Sequence, residues 1–171
     1  NQKLAVALTG RSGEALEEYK KLMLKLNNEV VAAAPEDLLI NTHVCRGNYH
    51  STFFSSGAYD SVADLLFGEE NVNAYYLEYD DERSGGFAPL AKVSGDKKVV
   101  LGLVTTKTPA LENKELVINR IHEAAKYVPL DRLYLSPQCG FASCEIGNKL
   151  TEEEQWAKLK LVKEIAEEVW G

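Results

Sequence analysis

The chain has 171 residues, 45% of them hydrophobic and 26% charged, which suits one globular domain. Its formal net charge of -7 argues against a nucleic-acid surface, and no apolar stretch approaches the roughly 20 residues that span a bilayer. The three cysteines are not spaced like a secreted disulfide framework. We therefore expect a single domain over residues 1–171, in the cytoplasm, with neither nucleic acid nor membrane as a partner.

The first half of the chain predicts two helices and two strands. A helix over 13–34 shows apolar residues at three-to-four spacing, and we expect it to bury Leu16, Tyr19, Leu22, Leu26, Val30 and Ala33. A strand follows over 38–45, and a loop then leads to a helix over 58–67. The next strand covers 73–80. Strands and helices thus alternate, with no linker or internal repeat between them.

The second half continues this alternation. Residues 99–104 are continuously apolar, as expected of a strand that is covered on both faces. Asn113 is positioned to cap the next helix, and a strand over 132–136 follows that helix. Thr151 begins a capping box for the last helix. We expect this helix to bury a further set of apolar residues: Trp156, Leu159, Val162, Ala166 and Val169.

Four strand–helix units predict an α/β fold in which a parallel sheet is covered by outer helices. In such folds, ligands gather at the carboxyl ends of the strands. Four units are too few to close an eight-stranded barrel. Because four candidate metal ligands, described below, lie at this carboxyl edge, we predict half of a TIM (β/α)8 barrel in preference to an open sheet.

Four potential metal ligands lie where the predicted strands end. His43 and Cys45 end the first strand, Glu78 lies at the end of the second, and Cys139 follows the last. Side chains two residues apart on a strand point the same way, so His43 and Cys45 can reach one point. One imidazole, two thiols and one carboxylate are a ligand set for zinc. Each residue, taken singly, could instead have a structural role without a metal, such as a core histidine or an inert buried cysteine.

Several polar residues near these positions are open to more than one interpretation. Arg46, Asn48 and Arg83 follow ligand candidates and are candidates either for orienting them or for lining the pocket. Lys107 lies at the end of the third strand, on the same rim. It is either a substrate contact or the start of a connecting loop. Residues 80–83 are predicted to form a solvated loop, in which Arg83 is able to pair with an acid. Three other potential ligands are given no role in the site: Cys144, His50 and His122.

Three segments, 43–48, 77–85 and 135–141, resemble the catalytic zinc barrel of the cobalamin-independent methionine synthase family. The ending over 150–162 is similar to its short bacterial members. The resemblance extends over nearly the whole chain. It implies that the chain is the carboxyl-terminal half of the barrel, without the amino-terminal half that holds the amino group of homocysteine. It also implies that the metal ligands are His43, Cys45, Glu78 and Cys139.

The function implied by this resemblance is a zinc-dependent methyltransferase of the 5-methyltetrahydropteroyltriglutamate-homocysteine type. Its cofactor would be Zn²⁺, and its partners homocysteine and a methyl donor, for which a methylfolate is one candidate. Glu78, an oxygen donor among softer ligands, is given a catalytic role as the ligand that yields to the substrate thiol. We expect no turnover from this half-barrel alone, and we expect its open sheet edges to favour self-association.

Three alternatives stay open at this point. The first is a related zinc-dependent alkyltransferase with another thiol or another donor. The second is a non-catalytic fragment in which zinc only ties the strand ends together. The third is a metal-free domain in which Cys45 and Cys139 are reactive thiols.

Overall fold

The strands and helices alternate along the chain as the hydrophobic pattern predicts. The structure is a computed structural model that describes residues 2–171. Its helices and strands, in chain order, are α1 (Gln2–Thr9), α2 (Gly13–Ala32), β1 (Asn41–Val44), α3 (Ala63–Glu69), β2 (Ala74–Glu78), β3 (Lys98–Val104), α4 (Lys114–Ala124), β4 (Leu133–Pro137) and α5 (Glu152–Trp170). Short 3-10 helices lie at Glu82–Ser84, Ala88–Lys92 and Leu130–Arg132.

The four strands form one parallel sheet in the order β1-β2-β3-β4. The fold is therefore the predicted half of a (β/α)8 barrel, with helices outside the sheet. Within residues 2–171, β1 and β4 are each paired on one side only, so they are the edges of the sheet. The self-association expected from these edges stays a prediction. No helix of the described residues is long and apolar enough to cross a membrane.

The two faces of the sheet have different environments. Tyr75, Val99 and Leu133 lie side by side in the strand register and are at most 1% exposed, because the helices cover this face. The next row along the strands, with Tyr76 and Tyr134, points to the opposite face. These two tyrosines are 40% and 41% exposed. This second face is the concave inner face of the half-barrel, and it carries the candidate site at its carboxyl edge.

Two helix starts form as their sequences predict. The Asn113 side chain accepts a hydrogen bond from the backbone N–H of Leu116 at 3.0 Å and caps α4. Thr151 and Glu154 form both bonds of a capping box at the start of α5. These features are confirmed because a cap depends only on residues within one turn of each other.

The buried faces of the helices differ from the prediction. Trp156 is 60% exposed, and the residues of α5 that are buried are Lys158, Leu161 and Ile165. On α2, Leu16 is buried, whereas four of the apolar residues expected inside are exposed: Leu22, Leu26, Val30 and Ala33. Helix α1 was not predicted. Periodicity counts only apolar side chains, so it missed the stripe of α5 that includes a buried lysine.

Candidate metal centre

Three of the four predicted ligands converge in the structure. The ligand atoms of His43, Cys45 and Cys139 all lie within 4.8 Å of one another. The Nε2 atom of His43 is 3.3 Å from the Sγ atom of Cys139. The three residues come from opposite edges of the sheet, because His43 lies on β1 and Cys139 follows β4.

The backbone after β4 brings Cys139 back toward β1. Cys139 has a φ of 55° and Gly140 a φ of 74°, so both residues are in the left-handed region. This conformation is uncommon for a residue other than glycine, asparagine or aspartate. Edge strands of a flat four-stranded sheet lie about 14 Å apart. The curvature of the half-barrel, together with this turn, closes that gap for the two side chains.

The contacts among the three side chains shift their pKa values. Hydrogen bonds from Cys139 and His43 to Cys45 lower the pKa of Cys45 to about 4. The contact with Cys45, together with burial, raises the pKa of Cys139. The hydrogen bond to Cys45 likewise raises the pKa of His43. These opposite shifts arise because the three donors are in direct contact and compete for protons, which a bound metal cation would displace.

Glu78 lies beside this group and is not part of it. Its side chain is fully buried, and its Oε2 atom accepts a hydrogen bond from the backbone N–H of Arg46. The Nη2 atom of Arg83 is 3.1 Å from its Oε1 atom, and the Nζ atom of Lys107 is 3.6 Å away. Burial raises the pKa of Glu78, and the positive charges of Lys107 and Arg83 oppose that rise. Glu78 therefore has protein partners of its own.

Asp80 corrects the prediction that residues 80–83 form a solvated loop. Its side chain has no exposed surface, and its carboxylate lies 3.0 Å from Lys107 and 3.5 Å from Arg83. The reason is the two-residue spacing from Glu78, which turns Asp80 toward the same buried side of the strand end. Arg83 lies in the same loop and pairs with an acid as the sequence allowed, whereas Lys107 comes from the loop after β3, so local sequence gave no sign of its contact with Asp80. Arg83 also binds Asp81 through its Nε atom at 2.7 Å.

Arg46 orders the loop that follows β1. Its Nε atom donates to the carbonyl oxygen of Gly57 at 2.8 Å, and its guanidinium lies 4.3 Å from the centre of the Tyr59 ring. Its Nη1 atom also donates to the backbone oxygen of Glu78 at 3.3 Å. Arg46 thus holds the loop and the end of β2 together. This arrangement fits the predicted role of orienting a ligand candidate.

Hydrogen bonds join the loops that follow β1, β3 and β4. Asn48 donates to the hydroxyl of Thr106 at 2.9 Å, and that hydroxyl donates to the carbonyl oxygen of Gln138 at 2.7 Å. Asn148 donates to the carbonyl oxygen of Thr106 at 2.7 Å. Sequence reasoning did not single out Gln138, although it directly precedes Cys139. Its side-chain amide contacts the sulfur of Cys139.

The long loop after β4 packs against the loop after β1. The backbone N–H of Lys149 donates to the hydroxyl of Ser51 at 2.9 Å, and His50 Nδ1 lies 3.0 Å from the carbonyl oxygen of Gly147. His50 is therefore a half-buried loop contact, outside the group of three ligands. Cys144 is a free thiol and is also outside that group. The loop lies on the rim that carries Cys139.

A cleft of about 360 Å³ opens beside the ligand group on the concave face. Its walls include His43, Glu78, Gly102, Gln138 and Cys139. Its volume suits a small substrate next to the candidate ligands. Glu78 also lines this cleft, so it borders the same space as His43 and Cys139.

The donor set fits zinc. Tetrahedral zinc with bonds of about 2.3 Å to sulfur and about 2.0 Å to nitrogen places its ligand atoms roughly 3.5–3.8 Å apart. The separations of up to 4.8 Å among the donors of His43, Cys45 and Cys139 are close to that arrangement. Two soft sulfurs and an imidazole favour zinc over Mg²⁺ or Ca²⁺, which prefer oxygen.

Comparison with known proteins identifies relatives of the chain. Residues 16–168 match the family model described as the catalytic domain of cobalamin-independent synthase. The chain is 53% identical over 159 residues to YxjG of Bacillus subtilis, an uncharacterized protein, with coverage of 92% of the chain and 42% of YxjG. It is 29% identical over 101 residues to a methionine synthase of Pyrococcus horikoshii, with coverage of 59% of the chain and 26% of that protein.

A crystal structure assigned to a vitamin-B12 independent methionine synthase of Listeria monocytogenes has the same fold, with a TM-score of 0.71 and 41% identity. The match covers 95% of this chain and 43% of the Listeria chain. The chain thus spans less than half the length of these relatives. The family match extends over most of the chain and includes all four predicted ligands. The chain therefore belongs to the cobalamin-independent methionine synthase family, as part of its catalytic domain.

Proposed function

We propose that this chain carries the zinc-binding half of a methyltransferase that transfers a methyl group to the thiol of homocysteine and forms methionine. The observation that carries the proposal is the convergence of His43, Cys45 and Cys139 within 4.8 Å at the carboxyl edge of the sheet. Family membership adds support, since the relatives include proteins named as methionine synthases.

The four predicted residues would hold the metal in unequal ways. His43, Cys45 and Cys139 are preassembled, and Glu78 would be the fourth ligand. Bound zinc lowers the pKa of a thiol from about 8.5 and supplies a thiolate at neutral pH. The protein's contribution is the donor set, with two thiolates and a carboxylate that keep the site electron-rich.

Glu78 is the ligand that we propose gives way to the substrate thiol. Four protein ligands close a zinc site, whereas a catalytic site keeps one position open. The carboxylate of Glu78 already has the backbone N–H of Arg46 and the side chain of Arg83 as alternative partners. If zinc were bound and Glu78 gave way, its carboxylate would therefore keep a backbone donor and a cation as partners, which would reduce the cost of burying it.

X-ray absorption of the zinc-loaded chain tests this function. With homocysteine at high concentration, we expect the number of sulfur atoms bound to zinc to rise by one, because the substrate thiol joins the ligands. Homoserine, which has a hydroxyl in place of the thiol, is the matched control and should leave the count unchanged. An unchanged count with homocysteine would refute the proposal.

Replacement of Glu78 distinguishes a catalytic zinc from a purely structural one. We expect Glu78→Gln to keep the fold and to weaken zinc binding by more than the roughly 10–100-fold that loss of a supporting residue costs, because one proposed ligand is lost while three remain in place. Thermal unfolding with and without a chelator, and zinc competition titration, measure the two effects. Glu82→Gln, an exposed acid on the same loop, is the control. If the wild type unfolds on chelation and the Glu78 variant unfolds in the same way, zinc and its ligands act as a structural tie between strand ends.

The substrates and the compartment belong to the same proposal. We take homocysteine as the thiol and a methylfolate as the methyl donor because of family membership. Another thiol or another donor is the alternative, since YxjG, at 53% identity, is itself uncharacterized. The three free cysteines suit a reducing compartment, so we place the protein in the cytoplasm.

A further inference from the structure

Lys158 is a buried charge that the proposed reaction does not use. It lies on α5, on the outer side of the sheet, and its side chain has no exposed surface. Its Nζ atom donates to the carbonyl oxygen of Ala110 at 2.7 Å and lies 3.1 Å and 3.3 Å from the two carboxylate oxygens of Glu112. A lysine is almost never fully buried unless it is paired, and Glu112 supplies the opposite charge here.

Glu112 contacts both Lys158 and the backbone at the end of β3. The Oε1 atom that faces Lys158 also accepts a hydrogen bond from the backbone N–H of Thr105 at 2.8 Å. Thr105 is the first residue after β3. It begins a short stretch, Thr105–Lys107, that we call the rim segment. A single carboxylate therefore connects the buried lysine to the backbone of the rim segment.

The rim segment contacts the neighbours of two metal-ligand candidates. The hydroxyl of Thr106 donates to the carbonyl oxygen of Gln138, the residue before Cys139, at 2.7 Å. The Nζ atom of Lys107 contacts the side chain of Gln138 and lies 3.6 Å from Glu78. The position of the rim segment therefore affects both Cys139 and Glu78.

We propose that Lys158 is a positioning residue for the metal centre, acting through Glu112 and the rim segment. The inference rests on the proposed zinc site and adds a residue on the outer helix layer to it. Helix α5 does not depend on Lys158 for its attachment, because Leu161 and Ile165 are buried in the core. At its far end, the indole of Trp170 donates to the carbonyl oxygen of Leu130 at 3.0 Å.

We call the contact from Lys158 through Glu112 to the rim segment the link. The test compares two variants of this link with a control on the same helix. Lys158→Met and Glu112→Gln each weaken the link at one end. Ile165→Ala is the matched control, since Ile165 is fully buried two helical turns from Lys158 on the same face of α5. All variants are studied as the 171-residue chain, well below their unfolding temperatures.

Two readouts separate positioning from general stability. In the metal-free chain, we expect faster amide hydrogen exchange at 105–107 and 138–140 in both link variants, and no such local change in Ile165→Ala. In zinc competition titration, we expect the link variants to bind zinc about 10–100-fold more weakly, as for other residues that support metal ligands. The affinity of the control should equal that of the wild type.

The outcomes distinguish this inference from the proposed function. Equal effects of Ile165→Ala and the link variants on exchange and on zinc affinity would overturn the inference, as would link variants with wild-type values of both. If the wild-type chain binds no zinc, the proposed function fails, while hydrogen exchange still tests the link. If Lys158→Met does not fold, Glu112→Gln decides the question, because it retains the lysine.

Discussion

Cys139→Ser is expected to remove zinc from the chain, whereas Cys144→Ser is expected to leave zinc content at the wild-type level. Cys139 is one of three donors within 4.8 Å of one another, and a serine hydroxyl is a poor ligand for a metal that prefers sulfur. Loss of a residue that supports a ligand costs about 10–100-fold in metal affinity, and loss of the ligand itself should exceed that.

Elemental analysis after dialysis, followed by competition with a chromophoric chelator, measures the difference between these variants. Cys144 is a suitable control because it is a free thiol in the same loop, five positions further along the chain. If both variants lose zinc equally, or if neither does, Cys139 is not a metal ligand. If added zinc protects Cys45 and Cys139 from alkylating agents, the alternative of a metal-free domain with reactive thiols is independently excluded.

Gly102→Ala is expected to destabilise the fold and to weaken zinc binding together. A Cβ atom at Gly102 would lie 2.8 Å from the carbonyl oxygen of Leu77 and 3.4 Å from the Cα atom of Gln138. Those two residues precede Glu78 and Cys139. If the backbone shifts to make room for the new methyl group, both ligand candidates will therefore move. Overpacking of this kind costs about 1–3 kcal/mol in the free energy of unfolding. Urea unfolding measures that cost, and chelator competition measures the zinc affinity.

Gly86→Ala is the matched control for this substitution. Its added Cβ atom would have no neighbour within 4 Å, and its backbone is outside the left-handed region. We expect its free energy of unfolding to stay within about 1 kcal/mol of the wild type. A Gly102 variant that is as stable as this control would mean that the central strands have room to adjust.

Much of the architecture could be predicted because its determinants are local. The apolar run of β3 predicted a strand covered on both faces, and residues 99–104 all lie in the observed strand. The cap at Asn113 and the capping box at Thr151 each depend on contacts within one helical turn. Alternation of strands and helices then favours parallel pairing, which the observed pairing of β1, β2, β3 and β4 confirms.

The predictions failed where a side chain depends on a distant partner. Lys158 was not expected in the core because a buried lysine requires Glu112, 46 residues away in the chain. Asp80 was expected in solvent because one of its partners, Lys107, lies 27 residues away. Trp156 was expected inside because it is large and apolar, yet it is 60% exposed on the stripe of α5 that faces outward.

The sequence by itself determined the half-barrel, the carboxyl-edge location of the ligand candidates and the shared direction of His43 and Cys45, since each follows from strand periodicity and parallel topology. Only the tertiary structure decided that Cys139 reaches His43 from the opposite edge and that Glu78 is held by Arg46 and Arg83. The physical reason is that these contacts depend on sheet curvature, on a left-handed turn and on charges carried by separate loops. No single segment of the chain contains that information.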